Sequence, residues 1–207
     1  MYLGGLCFIT DRSICNLSCE EMSLAVLKTG VKWIQYREKD KTRKEMYEDS
    51  VRIRGLTKDY QAIFVVNDYA DIAMSVKADG VHLGQDDLPL REARSIMGRE
   101  KIIGISTHNV EQAIAAEKEG ADYIGFGPVF HTTTKDAGSP KGTDMLREIK
   151  KQVRIPVVAI GGINLENLGL VLNKGVDAVA VSSAILRGDI GAHAKNIMEK
   201  ITSTFLL

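Results

Sequence analysis

TGVKWI, residues 29–34, returns in kind twice along the chain, as EGADYI at 119–124 and KGVDAV at 174–179. Each copy ends a segment of helical spacing with a glycine (Gly30, Gly120, Gly175). Two or three small or polar residues follow, then a β-branched or aromatic run. Glycine enters the left-handed conformation without a Cβ clash, so it closes a helix readily. Helix, short link and strand, met three times, are an internal βα repeat.

The same alternation extends outward from these copies. Apolar, β-branched runs occupy 5–10, 33–37, 62–67, 80–84, 101–106, 123–130, 156–162 and 178–185. Between them, SCEEMSLAVLKTG (18–30), NVEQAIAAEKEG (109–120) and NLENLGLVLNKG (164–175) carry apolar residues at helical spacing. Residues 41–59 and 189–204 also read as helices. Strands alternating with helices imply parallel pairing. Eight such units with no linker or low-complexity break predict one α/β domain over residues 1–207, a (β/α)8 TIM barrel near the short end of its size range. The alternative is a doubly wound open sheet, which usually carries a glycine-rich phosphate turn after its first strand. Here FITDRSIC follows instead.

Composition narrows the function classes. The chain has 207 residues, 44% hydrophobic and 26% charged, with 27 Lys plus Arg against 27 Asp plus Glu. A formal net charge of zero gives no basic field for nucleic acid, so anion binding must come from local placement. No apolar run has bilayer-spanning length, and the N-terminus reads as a first strand, not a signal peptide. Three cysteines (Cys7, Cys15, Cys19) form no disulfide framework or zinc set, which fits reduced thiols in a cytoplasm.

A barrel collects its chemistry where strands end and βα loops begin. Strand two ends IQYREKD. Gln35, Arg37 and Lys39 share one parity, and Ile34 and Tyr36 the other. The apolar parity suits the helix layer, and three donors on the polar parity suit a polyanion such as pyrophosphate, or else a solvated edge. Strand three ends FVVNDYADI and strand four VHLGQDD. Their Asn67, Asp68, Asp86 and Asp87 are either helix caps or a pair of acidic loops sharing Mg²⁺. Strand five ends with Ser106, with Asn109 as a cap. Strand six runs into FGPVFHTTTKD (126–136), and strands seven and eight end in Gly161, Gly162 and Ser182, Ser183. Loops after the last two strands of such barrels frequently hold phosphate. His82, mid-strand, reads as a core histidine, and His108, His131 and His193 carry no signal of their own. No Ser–His–Asp or Cys–His spacing stands out.

These motifs, in order, are QYREKD, VVNDYADIA, DGVHLGQDD, IGISTHN, GADYIGFGPVFHTTTKDAGSPKG, PVVAIGGI and VSSAI. In that order and spacing the chain resembles the thiamine phosphate synthase family over nearly its whole length. The resemblance implies the barrel fold and a transferase of thiamine biosynthesis. That enzyme condenses 4-amino-2-methyl-5-hydroxymethylpyrimidine diphosphate with a thiazole phosphate, releasing pyrophosphate, and CO₂ when the thiazole is carboxylated. It implies that Gln35, Tyr36, Arg37, Glu38, Lys39, Asn67, Ser106 and Lys135 contact the pyrimidine diphosphate, and that Arg37, Lys39, Ser106 and Lys135 act in catalysis. Thr132, Thr133, Thr134, Gly162, Ser182 and Ser183 would hold the thiazole phosphate, and Asp68 and Asp87 would bind Mg²⁺. Both substrates are small molecules, with no nucleic-acid or membrane partner and a homo-oligomer as an open option. One departure is His131, where the synthases often have proline. The rivals are a thiazole tautomerase of the same fold, a family that relies on a histidine where this chain has Pro128, and a non-catalytic phosphate sensor.

Overall fold

A computed structural model describes residues 3–132 and 138–205. The eight strands are β1 (Gly5–Ile9), β2 (Trp33–Tyr36), β3 (Ile63–Asn67), β4 (Gly80–Leu83), β5 (Ile102–Thr107), β6 (Tyr123–Phe126), β7 (Val157–Ile160) and β8 (Ala178–Val181). They pair in parallel in chain order, and β8 closes on β1 with Leu6 opposite Val179 and Cys7 opposite Ala180. That ladder excludes the open sheet. Around the barrel lie α1 (Cys19–Leu27), α2 (Arg43–Asp59), α3 (Ala70–Ser75), α4 (Leu90–Met97), α5 (Val110–Glu119), α6 (Asp144–Gln152), α7 (Leu168–Leu172), α8 (Ser183–Leu186) and α9 (Ile190–Phe205). No described helix is long and apolar enough to cross a membrane.

Strand alternation sorts the apolar residues into two cores. Phe8, Ile34, Phe64, Val81, Ile103 and Ile124 point outward and pack with the helices. Trp33, Val65, Tyr123, Val158 and Ala178 point inward and fill the barrel. Each fully buried large side chain contributes about 1.5–3 kcal/mol, so the outer layer supplies most of the stability. Three helices, α1, α2 and α5, start where a side chain satisfies a free N–H group. Ser18 with Glu21, and Thr42 with Glu45, form reciprocal capping boxes, and Asn109 accepts from Gln112 N. Two strands end earlier than their apolar runs suggest. β6 stops at Phe126, and β8 gives way to α8 at Ser183.

The backbone of the sequence phrase recurs in five places, not three. Gly30, Gly120 and Gly175 all have positive φ, and Gln61, before β3, and Lys77, before β4, hold the same conformation at φ 52° and 55°. The next residue (Val31, Ala62, Ala78, Ala121, Val176) is buried in every copy. The one after it is Asp in three copies, and it ties two strands together. Asp79 accepts Phe64 N and pairs with Arg54, Asp122 accepts Ile103 N and pairs with Arg94, and Asp177 accepts Val157 N and pairs with Lys150. A carboxylate receiving both an N–H from the first two residues of a strand and a helix cation clamps the N-terminal end of the barrel. This leaves the C-terminal end for binding.

Candidate active site

The mouth of the barrel is built from the polar parity of β2 and the loops that follow its neighbours. On β2, Gln35 is buried and its Nε2 donates to Asn67 Oδ1 at 3.5 Å. Arg37 pairs with Asp11 at 3.2 Å, and Lys39 Nζ donates to Asp68 Oδ2 at 2.6 Å. Asn67 Nδ2 donates to Asp68 Oδ1 at 2.5 Å. Gln35, Arg37 and Lys39 therefore do face the mouth together, as their parity predicts.

Asp68 caps no helix. α3 starts at Ala70 without a side-chain cap, and Asp68 instead sits at φ 66° with its N–H on His82 O at 2.8 Å. Asp tolerates this left-handed region better than most residues. Asp87 is not a cap either, since α4 begins after Pro89 with no side-chain cap. Asp87 Oδ2 accepts Gly84 N at 2.6 Å. Its pKa is raised, first by burial and then by the carboxyl of Asp68 beside it, against the lowering effects of Gly84 N–H and Lys39. Two carboxylates in contact with one lysine between them are short of positive charge. Hard oxygen donors of this kind suit Mg²⁺.

One cavity joins this side of the mouth to the other. Arg37, Asp11, Ser106 and His108 line it from β1, β2 and β5; Thr132, Gly162, Ser182 and Ser183 line it from β6, β7 and β8. Ser182 Oγ is buried with no hydrogen-bond partner among the described residues. A buried hydroxyl left in that state is one a ligand can satisfy. Gly162 has φ 64°, and a Cβ there would come within 2.4 Å of His131 O, so the turn admits only glycine. Thr133, Thr134 and Lys135 lie outside the described residues.

Two residues assigned to the pyrimidine diphosphate face the other way. Tyr36 is buried among the helices, with its hydroxyl donating to Asp49 of α2 at 3.1 Å. Glu38 Oε1 accepts the N–H groups of Lys39 and Asp40, and Oε2 lies 3.7 Å from Arg12. Both follow the outward parity of Ile34, so their side chains support β2 from behind. Among the described residues, Cys19, Glu38 and Asp49 bring ligand-type atoms within 4.8 Å of one another. Asp49 is already held by Lys41 and Arg52 at 2.5 Å each, and burial pushes the Cys19 thiol up to about 11. This cluster is charge-compensated and keeps its thiol protonated, so it reads as an ion-pair network under β2.

Asp11 and His108 were missed from sequence. Asp11 follows the first strand and lacks a motif around it. His108 is fixed by its Nδ1, 2.6 Å from Gly127 O; a carbonyl can only accept, so Nδ1 carries the proton. His82, read as a core histidine, is buried but touches Ser106 at the cavity.

The profile of the family described as thiamine monophosphate synthase matches residues 6–185. The thiamine-phosphate synthase of Methanosarcina barkeri is 47% identical over 180 residues, covering 86% of this chain and 81% of the relative. That of Methanospirillum hungatei is 47% identical over 199 residues, covering 94% and 96%. The solved thiamine phosphate pyrophosphorylase of Pyrococcus furiosus is 40% identical, covers 97% of this chain and 96% of its own, and superposes with a TM-score of 0.90. A family profile over most of the chain and relatives at 47% identity carry one conclusion: the chain belongs to the thiamine monophosphate synthase family.

Proposed function

We propose that this chain joins hydroxymethylpyrimidine diphosphate to a thiazole phosphate, giving thiamine phosphate and pyrophosphate, with loss of CO₂ when the thiazole is carboxylated. The observation that carries the reading is the single cavity lined by Arg37 and Ser106 on one wall and Gly162, Ser182 and Ser183 on the other. Two anionic substrates need two separated anion-binding walls facing one space. The relatives' names supply the product, thiamine phosphate, and the family resemblance supplies the two substrates.

The residues fit a division of labour. Gln35, Arg37, Lys39, Asn67 and Ser106 would take the pyrimidine diphosphate, Thr132, Gly162, Ser182 and Ser183 the thiazole phosphate. Lys135, Thr133 and Thr134 are assigned by motif alone. Asp68 and Asp87 would hold Mg²⁺. When bound, that ion would neutralise charge on the pyrophosphate and hold it in place. Arg37 and Lys39 supply further positive charge at the same wall, where their partners Asp11 and Asp68 keep them aimed at the mouth. The pyrimidine methylene cation left by departing pyrophosphate is stabilised by its own electron-rich ring. The protein therefore needs no nucleophile and no strong base; it stabilises the leaving group and positions the thiazole nitrogen. The absence of a Ser–His–Asp spacing in the sequence agrees with this. A tautomerase acting on the thiazole alone would have no use for the β2–β4 wall.

Lys39→Ala separates the two. It is expected to lower kcat/KM for thiamine phosphate by about 10²-fold, the effect of removing one preorganised charge donor. An unchanged value, measured by product formation with both substrates, would sink the role given to this wall.

A further inference from the structure

Below the mouth, three side chains form a line across the inside of the barrel. His82 of β4 lies between Tyr123 of β6 and Ser106 of β5, with Nδ1 2.9 Å from the Tyr123 hydroxyl and Nε2 2.9 Å from Ser106 Oγ. The imidazole and phenol rings are 5.4 Å apart at 31°. Two glycines make the space. A Cβ on Gly104 would fall 2.1 Å from the Tyr123 ring, and one on Gly125 would fall 3.1 Å from His82 Cε1. Any side chain at Gly104 would displace Tyr123, so the line is built into the barrel packing.

The proton order along this line follows from satisfaction. Tyr123 is 2% exposed, and among the described residues its hydroxyl has one hydrogen-bond partner, His82 Nδ1. A phenol hydrogen buried to this degree goes to that nitrogen. Nδ1 is then an acceptor, and the neutral imidazole carries its proton on Nε2. Nε2–H in turn donates to Ser106 Oγ. With one lone pair so used, the Ser106 hydrogen is directed away from His82, toward the cavity that Ser106 lines. The reverse order would leave the buried Tyr123 hydrogen without an acceptor, and is disfavoured by about tenfold or more.

We propose that Tyr123 and His82 are positioning residues, which fix the Ser106 hydroxyl as a hydrogen-bond donor toward an acceptor atom of the pyrimidine diphosphate. The ligand assignment rests on the proposed function; the proton order does not. Neither Tyr123 nor His82 needs to touch substrate, and both act through Ser106.

Two measurements test this. The first is ¹⁵N NMR of the histidine side chains in the intact unliganded protein, with the His82 signals assigned by their loss in His82→Gln. The expected result is a neutral His82 protonated at Nε2; a ring protonated at Nδ1, or at both nitrogens, overturns the proton order whatever the enzyme does. The second is the steady-state kinetics of Tyr123→Phe. It is expected to raise KM for the pyrimidine diphosphate about tenfold while KM for the thiazole phosphate stays within about twofold, the loss of one oriented hydrogen bond. Equal changes in both KM values, or none, overturn the positioning role. His82→Gln, which keeps an N–H donor toward Ser106, should retain a lower KM for the pyrimidine diphosphate than His82→Leu; equal values count against the relay. If the wild-type chain makes no thiamine phosphate, the functional reading fails while the NMR result still decides the proton order.

Discussion

Asp68→Asn is expected to lower kcat/KM for thiamine phosphate formation by about 10³-fold and to weaken the apparent affinity for Mg²⁺. The change keeps the shape of the side chain and its tolerance of the left-handed backbone at φ 66°. It removes only the charge that Lys39 and the proposed Mg²⁺ share. Loss of a bound ion's charge stabilisation is worth several kcal/mol, and about 1.4 kcal/mol is tenfold in rate. Because Asp68 caps no helix, Tm should move by no more than about 2–4 °C, the shift that about 1 kcal/mol gives in a chain of this size. Initial rates over a Mg²⁺ titration check this. A variant with wild-type kcat/KM and Mg²⁺ dependence would remove Asp68 from the metal site.

Asp49→Ala should do the opposite: strong loss of stability with kcat/KM close to wild type in the folded fraction. Asp49 is 3% exposed and accepts from Tyr36, Lys41 and Arg52. Truncation leaves a buried phenol and a half-buried ammonium without their acceptor, at about 3 kcal/mol. At about 2–4 °C per kcal/mol that is a fall in Tm of about 6–12 °C. Asp49→Asn should recover part of it by keeping an oxygen for Tyr36. Thermal unfolding alongside activity reads both quantities. Loss of Mg²⁺-dependent activity with an unchanged Tm would mean that Cys19, Glu38 and Asp49 form a functional metal site after all.

The contrast between these two aspartates also marks how far sequence alone reaches. Barrel closure was legible because glycine closes helices in a recurring phrase, and because eight apolar runs alternate with helices. Two further copies were hidden because Gln61 and Lys77 hold the left-handed conformation that glycine holds in the other three. Parity separated Gln35, Arg37 and Lys39 from Ile34 correctly. The same parity places Tyr36 and Glu38 in the helix layer, yet motif membership had assigned them to the substrate. A contiguous motif on a strand necessarily alternates between two environments. Asp11 was invisible because its partner Arg37 is distant in sequence, and a salt bridge between neighbouring strands leaves no local pattern. His82 was ambiguous for a related reason. Its meaning depends on Tyr123 and Ser106, two strands it meets only once the barrel is closed.

The most direct test of the central claim is one assay of the purified chain with hydroxymethylpyrimidine diphosphate and thiazole phosphate, following thiamine phosphate and pyrophosphate together, with Mg²⁺, after chelation, and after Mg²⁺ is restored. The expected result is equal molar release of the two products with Mg²⁺, loss on chelation and recovery on restoration. Product at full rate in chelator would contradict the role of Asp68 and Asp87, and thiazole isomerisation without either product would contradict the synthase reading itself.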